Sequence, residues 1–121
     1  MFDAENNKEY LDLESALARV RGNKTIYRKM LGMLQGSGEF AAFEEKIAAE
    51  DWAAAGEVAH GIKGMTGNLG LTKLFETSAE LMNQLRAGPP SAALLAEYRD
   101  TVEKTLSLVQ QLCDEWDAAG A

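Results

Sequence analysis

Residues 52–70 read WAAAGEVAHGIKGMTGNLG and contain the only histidine of the chain, His60. Helical spacing of the apolar residues predicts a helix from Trp52 to about Thr66, and the following Asn-Leu-Gly marks its end. Glycines interrupt this helix repeatedly, although each interior glycine costs roughly 0.8 to 1 kcal/mol relative to alanine. A helix that carries this cost around its one imidazole requires a physical reason for it.

The same periodicity continues on both sides of this segment. The apolar stripes of the other predicted helices are Leu13, Leu17 and Val20; Ile26, Tyr27, Met30, Leu31 and Leu34; Phe40, Phe43 and Ile47; Leu74, Phe75, Ser78, Leu81, Met82 and Leu85; and Leu95, Tyr98, Val102, Leu106, Val109, Leu112, Cys113 and Trp116. Asn23, Asp51 and Ser91 are suitable N-caps for three of these helices. No alternating strand pattern is present.

Short connections between amphipathic helices favour antiparallel neighbours. The helix after His60 is predicted to span Thr72 to about Arg86, and the Gly-Pro-Pro of residues 88–90 separates it from the last helix. We therefore predict an all-α fold, an antiparallel four-helix bundle with one or two short N-terminal helices packed at one end. Residues 1–121 are expected to form this single domain.

Composition narrows the possible partners and the cellular setting. The net charge of −7 argues against a nucleic-acid partner, because such binding depends on clustered positive charge. No apolar run approaches the roughly 20 residues that span a bilayer, and the first residues do not resemble a signal peptide. The single cysteine, Cys113, cannot form an internal disulfide. We therefore expect a cytoplasmic monomer with neither a membrane nor a nucleic-acid partner.

Helical geometry predicts the surroundings of His60. At about 100° per residue, Ile62 and the other large apolar residues of this helix fall roughly 140° to 180° from His60, so the histidine is expected to face solvent. Within about 60° of His60 the helix carries Lys63 and small residues, among them Gly56, Gly64 and Gly67. A lone exposed histidine is often only a solubilising residue. Such a face, however, normally carries good helix formers, so the glycines favour contact with another molecule.

Several other chemistries do not fit the sequence. One histidine and one cysteine cannot supply a three- or four-ligand zinc site, and the acidic residues lack the spacing of a calcium loop. No Ser-His-Asp or Cys-His arrangement is visible, and the glycine-rich stretches do not follow strands as a nucleotide fingerprint would. We therefore expect no metal or nucleotide cofactor.

The segment around His60 resembles a known family. Residues 59–70, AHGIKGMTGNLG, resemble the signature of the histidine-containing phosphotransfer (Hpt) domains of bacterial multistep phosphorelays. Other stretches that resemble the family are Asp51-Trp52, Leu13-Glu14-Ser15-Ala16-Leu17, Gly22-Asn23 and the segment from Tyr27 to Leu31. The likeness therefore covers most of the chain.

The resemblance implies a phosphoryl carrier rather than a complete enzyme. In this family the histidine at the position of His60 accepts a phosphoryl group on Nε2 from a receiver-domain aspartate and passes it to another. The expected partners are response-regulator receiver domains and a hybrid sensor histidine kinase, and the receiver supplies the Mg²⁺. Lys63 would stabilise the phosphoryl charge, and the partner-binding glycines, Gly56, Gly64 and Gly67, would admit the receiver loops.

Two positions depart from the family pattern. Many members carry a Gln or Glu on the following helix that hydrogen-bonds the imidazole, whereas the matching residue here is Met82. Asn83 or Gln84 is turned away by helical geometry, which leaves water or Ser78 to orient the ring. Glu50 stands where glycine is common before Asp-Trp, and we expect this change to be harmless. Met82 favours the alternative hypothesis, a non-catalytic Hpt-like module that binds a kinase or receiver without being phosphorylated.

Overall fold

A computed structural model describes residues 1–120, which form helices and turns without a strand. The helices are, in chain order, α1 (Leu13–Arg19), α2 (Lys24–Gln35), α3 (Glu39–Ala48), α4 (Trp52–Asn68), α5 (Thr72–Leu85) and α6 (Ala92–Ala118). The predicted all-helical fold is therefore confirmed, and α4 continues slightly beyond its predicted end at Thr66. The predicted domain boundary at Ala121 lies outside the described residues.

The three predicted N-caps are present. The side chains of Asn23, Asp51 and Ser91 each accept a hydrogen bond from the backbone N–H three residues later, at 3.1 to 3.2 Å. Each bond satisfies one of the N–H groups that a helix leaves unpaired at its start. Local sequence thus determines where α2, α4 and α6 begin.

Helix α4 packs between α3 and α5, and α5 in turn packs against α6. Helices α2 and α3 lie along α6: Arg28 pairs with Asp117 near one end, and Glu44 pairs with Arg99 farther back along α6. The Arg28 guanidinium lowers the pKa of Asp117 through its hydrogen bond. The aromatic pairs follow the same order, with Tyr27 against Trp116 and Phe43 against Tyr98.

The buried face of α6 differs from the prediction. Thr101 and Thr105 are buried, whereas Leu95, Val102 and Leu106 are only partly buried. Three buried positions in the first half of α6 are therefore shifted by one residue, whereas Tyr98 and the predicted residues from Val109 to Trp116 are buried as expected. The hydroxyl of Thr101 donates to the carbonyl of Glu97 at 2.7 Å, which lets this side chain enter the core with its polar group satisfied.

The N-terminal segment holds the turn between α4 and α5. The Asp12 N–H donates to the carbonyl of Gly70 at 2.8 Å, and the Tyr27 hydroxyl donates to the carbonyl of Leu69 at 2.6 Å. Burial raises the pKa of Tyr27, so the phenol remains a donor. Gly70 has a φ of +71°, and a Cβ there would lie 2.9 Å from the Cβ of Ala16. Only glycine fits this close approach.

None of the helices in residues 1–120 has the length and apolar character needed to cross a membrane.

The expectation that Glu50 is harmless is wrong. Glu50 has a φ of +57°, in the left-handed region. Its N–H donates to Ile47, and the next N–H, that of Asp51, donates to Lys46, each at 3.0 Å. This is the Schellman pattern that ends a helix, and its left-handed position favours glycine. The glutamate strains the connection into α4.

We predict that Glu50→Gly raises the free energy of unfolding by about 1 kcal/mol, because glycine adopts left-handed φ without a Cβ clash. The matched control is Ala49→Gly at the neighbouring residue, which has a φ of −81°. There the added flexibility should lower stability by up to about 1 kcal/mol. Urea unfolding of the two variants measures both changes. Equal destabilisation by both variants would contradict the assignment of strain to Glu50.

Candidate functional site

His60 lies in the middle of α4 and is exposed, while Ile62 on the opposite face is fully buried. Both positions agree with the prediction from helical geometry. The imidazole is on the rim of a groove between α4 and α5. The groove is lined by Ala53, Gly56, Glu57, His60, Met82, Leu85 and Arg86. The histidine is therefore accessible from solvent along one side of the seam between these two helices.

Met82 lines this groove together with His60, as its alignment with the family pattern predicted. A thioether is only a weak hydrogen-bond acceptor. Within residues 1–120 the imidazole has no hydrogen-bonding side-chain partner. No side-chain hydrogen bond from the described residues therefore fixes the orientation of the ring.

The other residues considered for orienting the imidazole do not do so. Ser78 is buried and its hydroxyl has no partner among the described residues, so the suggestion that it holds His60 is wrong. The Gln84 side chain accepts a hydrogen bond from the Ser91 N–H at 2.7 Å and so serves the loop before α6. Asn83 is exposed on α5.

Lys63 lies one turn after His60 and is partly buried. Its Nζ is 5.7 Å from the centroid of the Phe75 ring on α5, within the range of a cation–π contact. It forms no ion pair with the described residues. No carboxylate among the described residues therefore neutralises its positive charge.

The glycines near His60 have different surroundings. A Cβ added to Gly64 would meet no atom within 4 Å, so this position is open to solvent. A Cβ at Gly56 would lie 3.5 Å from the Cβ of Leu85, and one at Gly67 would lie 3.0 Å from the Phe75 ring. Of the three glycines, Gly64 is therefore the open position, whereas Gly56 and Gly67 face α5. Because α5 packs close to the histidine face, those two glycines contact it.

The glycine at position 61 is explained by a different contact. A Cβ added there would lie 2.7 Å from Oε2 of Glu39, which belongs to the first turn of α3. The absence of a side chain lets this carboxylate lie against the backbone of α4. The two glycines that follow His60 in the hexapeptide AHGIKG thus differ, since Gly61 faces α3 and Gly64 faces solvent.

Two charged residues of the groove were missed from the sequence. Glu57 precedes His60 by three residues, and helical spacing alone could have indicated it. Arg86 belongs to the end of α5, and no pattern in the sequence shows which residue of α4 it faces. The contact between Gly56 and Leu85 brings it to the groove. Arg86 also forms no ion pair with the described residues.

Two further grooves flank α4. One, at its C-terminal end, includes Gly64, Gly67 and Phe75 together with Arg19 of α1. The other, between α2 and α4, is formed largely by methionine and leucine side chains, of which Met33 is 76% exposed. No group of three or more His, Cys, Asp or Glu residues in the described part of the chain is placed to hold a metal ion.

We predict that alanine substitution separates the two kinds of glycine. Gly64→Ala should raise the free energy of unfolding by up to about 1 kcal/mol, because alanine is the better helix former and the site is open. Gly67→Ala should give no such gain, because the 3.0 Å approach to Phe75 offsets the improved propensity. Thermal unfolding compares them, and equal stabilisation by both changes would show that α5 does not constrain Gly67.

Comparison with known proteins agrees with this geometry. The family model of the Hpt domain matches residues 29–119 of the chain. Neither the curated proteins nor the solved structures include a match to the sequence. The family match spans most of the chain, from within α2 to the end of α6, and contains the exposed histidine, the lysine one turn later and the open glycine. The chain belongs to the Hpt domain family.

Proposed function

We propose that His60 accepts a phosphoryl group from the aspartate of one receiver domain and passes it to the aspartate of another. Hpt domains act in phosphotransfer of two-component signalling, as phosphocarriers rather than catalysts. The observation that carries the proposal is the placement of the only histidine, exposed at mid-helix beside an unpaired lysine and an open glycine. A receiver domain can therefore approach the imidazole directly.

The transfer is a displacement at phosphorus. The Nε2 lone pair of neutral His60 forms the N–P bond, while the P–O bond of the donor's acyl phosphate breaks and its electron pair stays on the donor carboxylate. In the second transfer a carboxylate oxygen of the acceptor aspartate forms the new P–O bond, and the N–P bond breaks with its electron pair returning to Nε2. The receiver supplies Mg²⁺, and this chain supplies the nucleophile and the charge of Lys63.

Docking is proposed to use the surface around Gly64. The open position of Gly64 lets a partner backbone come close to His60. Gly56 and Gly67 contribute to partner binding indirectly. They keep α5 close to α4, so that α5 projects less beside His60 and leaves more room for the partner. The expected partners remain receiver domains and a hybrid sensor histidine kinase.

The fold is proposed to be an antiparallel four-helix bundle in which α2 and α3 together form one of the four rods. Pairings of α2 and α3 with α6 support this arrangement, because they run from Asp117 back to Arg99 as the chain advances from Arg28 to Glu44. The contacts of Gly56 with Leu85 and of Gly67 with Phe75 support an antiparallel arrangement of α4 and α5, because the contact positions on α5 move backwards as α4 advances. We propose a single domain that acts as a cytoplasmic monomer.

A second candidate function is a docking module that is not phosphorylated. Met82 favours it, because this side chain cannot give the imidazole the hydrogen bond that many relatives supply. In this alternative the same surface binds a receiver or kinase, and the histidine serves only as part of the contact.

We predict that incubation with phosphorylated receiver domains and Mg²⁺ labels the wild-type protein and leaves His60→Gln unlabelled. Phosphohistidine is acid-labile whereas phosphoserine survives acid, so acid treatment should remove the label. Circular dichroism of His60→Gln verifies that its helices are intact. Binding of receivers without labelling would favour the docking module. An acid-stable label would show that the phosphoryl group is not on a histidine and would contradict both candidate functions.

The roles of Lys63 and Gly64 are predicted to separate in kinetics. Lys63→Ala should slow transfer by about tenfold, equivalent to about 1.4 kcal/mol in the transition state, while docking changes little because one partly exposed cation contributes little to an interface. Gly64→Gln should weaken docking, since its side chain lies beside His60 at i+4, and should stabilise the isolated protein. Receiver affinity, transfer rate and thermal unfolding of each variant measure these effects. Unchanged binding and transfer in Gly64→Gln would show that this surface does not dock a partner.

A further inference from the structure

Lys63 has one electrostatic partner among the described residues, the ring of Phe75. The Lys63 Nζ lies 5.7 Å from the centroid of this ring, and no carboxylate of residues 1–120 pairs with it. At this distance the face of an aromatic ring attracts an ammonium group through its quadrupole. A matched contact, Lys24 over Trp116 at 5.5 Å, is formed by residues that do not line the groove of His60.

The ring of Phe75 is held in place by the backbone beneath it and by Gly67. The Phe75 N–H donates to the carbonyl of Leu71 at 2.9 Å, and the Lys73 N–H donates to the carbonyl of Glu9 at 3.1 Å. A Cβ at Gly67 would lie 3.0 Å from two atoms of the ring, closer than an ordinary van der Waals contact. The ring is thus a fixed support, whereas the lysine above it has a flexible four-carbon stem.

The ring lies toward the end of α4 that is farther from the histidine. Gly67 follows Lys63 by about one turn, whereas His60 precedes Lys63 by three residues. Phe75 and Gly67 line the groove at the C-terminal end of α4, and His60 is not among the residues of that groove. The ring therefore draws the ammonium of Lys63 away from the groove in which the imidazole lies.

A phosphoryl group on His60 would compete with the ring for this ammonium. It brings roughly 1.5 to 2 negative charges and three acceptor oxygens, whereas the ring offers only its quadrupole. Side chains three residues apart on a helix are neighbours, so Lys63 can reach a group on His60 by a change of rotamer. The phosphoryl group is the stronger of the two partners, because a full charge attracts an ammonium more than a quadrupole does.

We propose that Phe75 is a positioning residue that holds the ammonium of Lys63 while His60 is unphosphorylated and releases it to the phosphoryl group when His60 is phosphorylated. This inference rests on the proposed function of His60. Release uncovers the face of the Phe75 ring in the groove that also contains Gly64 and Arg19. A receiver that docks around Gly64 therefore meets a different surface on the phosphorylated and the unphosphorylated protein.

The first test observes the Lys63 side chain by NMR, with phosphoramidate as phosphoryl donor so that no docking partner is needed. The Nε2 lone pair of His60 forms the new N–P bond, and the donor nitrogen leaves as ammonia with the electron pair of the P–N bond. Because the face of an aromatic ring shields nearby protons, the Hε protons of Lys63 should resonate upfield before phosphorylation and lose this shift afterwards. Those of Lys24, over Trp116, should keep theirs. His60→Gln treated in the same way should show neither change.

The second test measures the rate of phosphorylation by phosphoramidate. Phe75→Leu removes the competing ring, so it should raise the rate about threefold, the size of one partly exposed cation–π contact. The same substitution in a Lys63→Ala background should have no effect, because no ammonium remains to be released. That background also loses the packing of the ring against Gly67, and it is therefore the matched control for a purely structural effect. Circular dichroism verifies that the helices of each variant are intact.

The role of Phe75 is overturned if the Lys63 protons keep their upfield shift in the phosphorylated protein. It is also overturned if Phe75→Leu has the same effect, or none, with and without Lys63. A slower reaction of Phe75→Leu would contradict it as well, since the ring would then place the ammonium where the reaction needs it. In each of these cases His60 is phosphorylated and its proposed function stands. If wild type itself is not phosphorylated at His60, both proposals fail.

Discussion

The close contact between α4 and α5 is the constraint on which the rest of the site depends. The approach is tightest at Gly67, where an added Cβ would lie 3.0 Å from the Phe75 ring, while a Cβ at Gly56 would make an ordinary contact of 3.5 Å with Leu85. This approach places Met82 and Arg86 in the groove of His60 and brings Phe75 beneath the ammonium of Lys63. The residues around the histidine are thus selected by helix packing.

The cost of glycine in α4 is offset by contacts beyond that helix. Asp51 caps its N-terminus, and the Tyr27 hydroxyl holds the carbonyl of Leu69 just after its C-terminus. Its inner face is fully buried through Ala55, Ala59 and Ile62. Most helical stability in proteins comes from such packing rather than from propensity. A helix fixed at both ends and along one face can leave its middle exposed for a partner.

Helix boundaries and the orientation of His60 could be predicted because they are local properties. A capping side chain bonds a backbone group three residues away, so Asn23, Asp51 and Ser91 could be recognised without any partner helix. The face on which His60 lies follows from the helical repeat and the opposite position of Ile62. The burial of Thr101 in place of Val102 could not be predicted in this way. Thr101 and Val102 are neighbours in the sequence, and either could belong to the buried face of an amphipathic helix. Only the position of the neighbouring helices selects which of the two is buried.

By itself the sequence determined the all-helical fold, the caps, the exposure of His60 and the presence of Lys63 and Gly64 beside it, because each depends on spacing within one helix. The tertiary structure alone decided that Gly67 packs against Phe75 while Gly64 is open, and that Arg86 reaches the groove of His60. It also decided that Glu50 has a left-handed backbone. These features depend on the distance and register between separate helices or on how one helix ends against the next. Neither is encoded in the periodicity of a single segment.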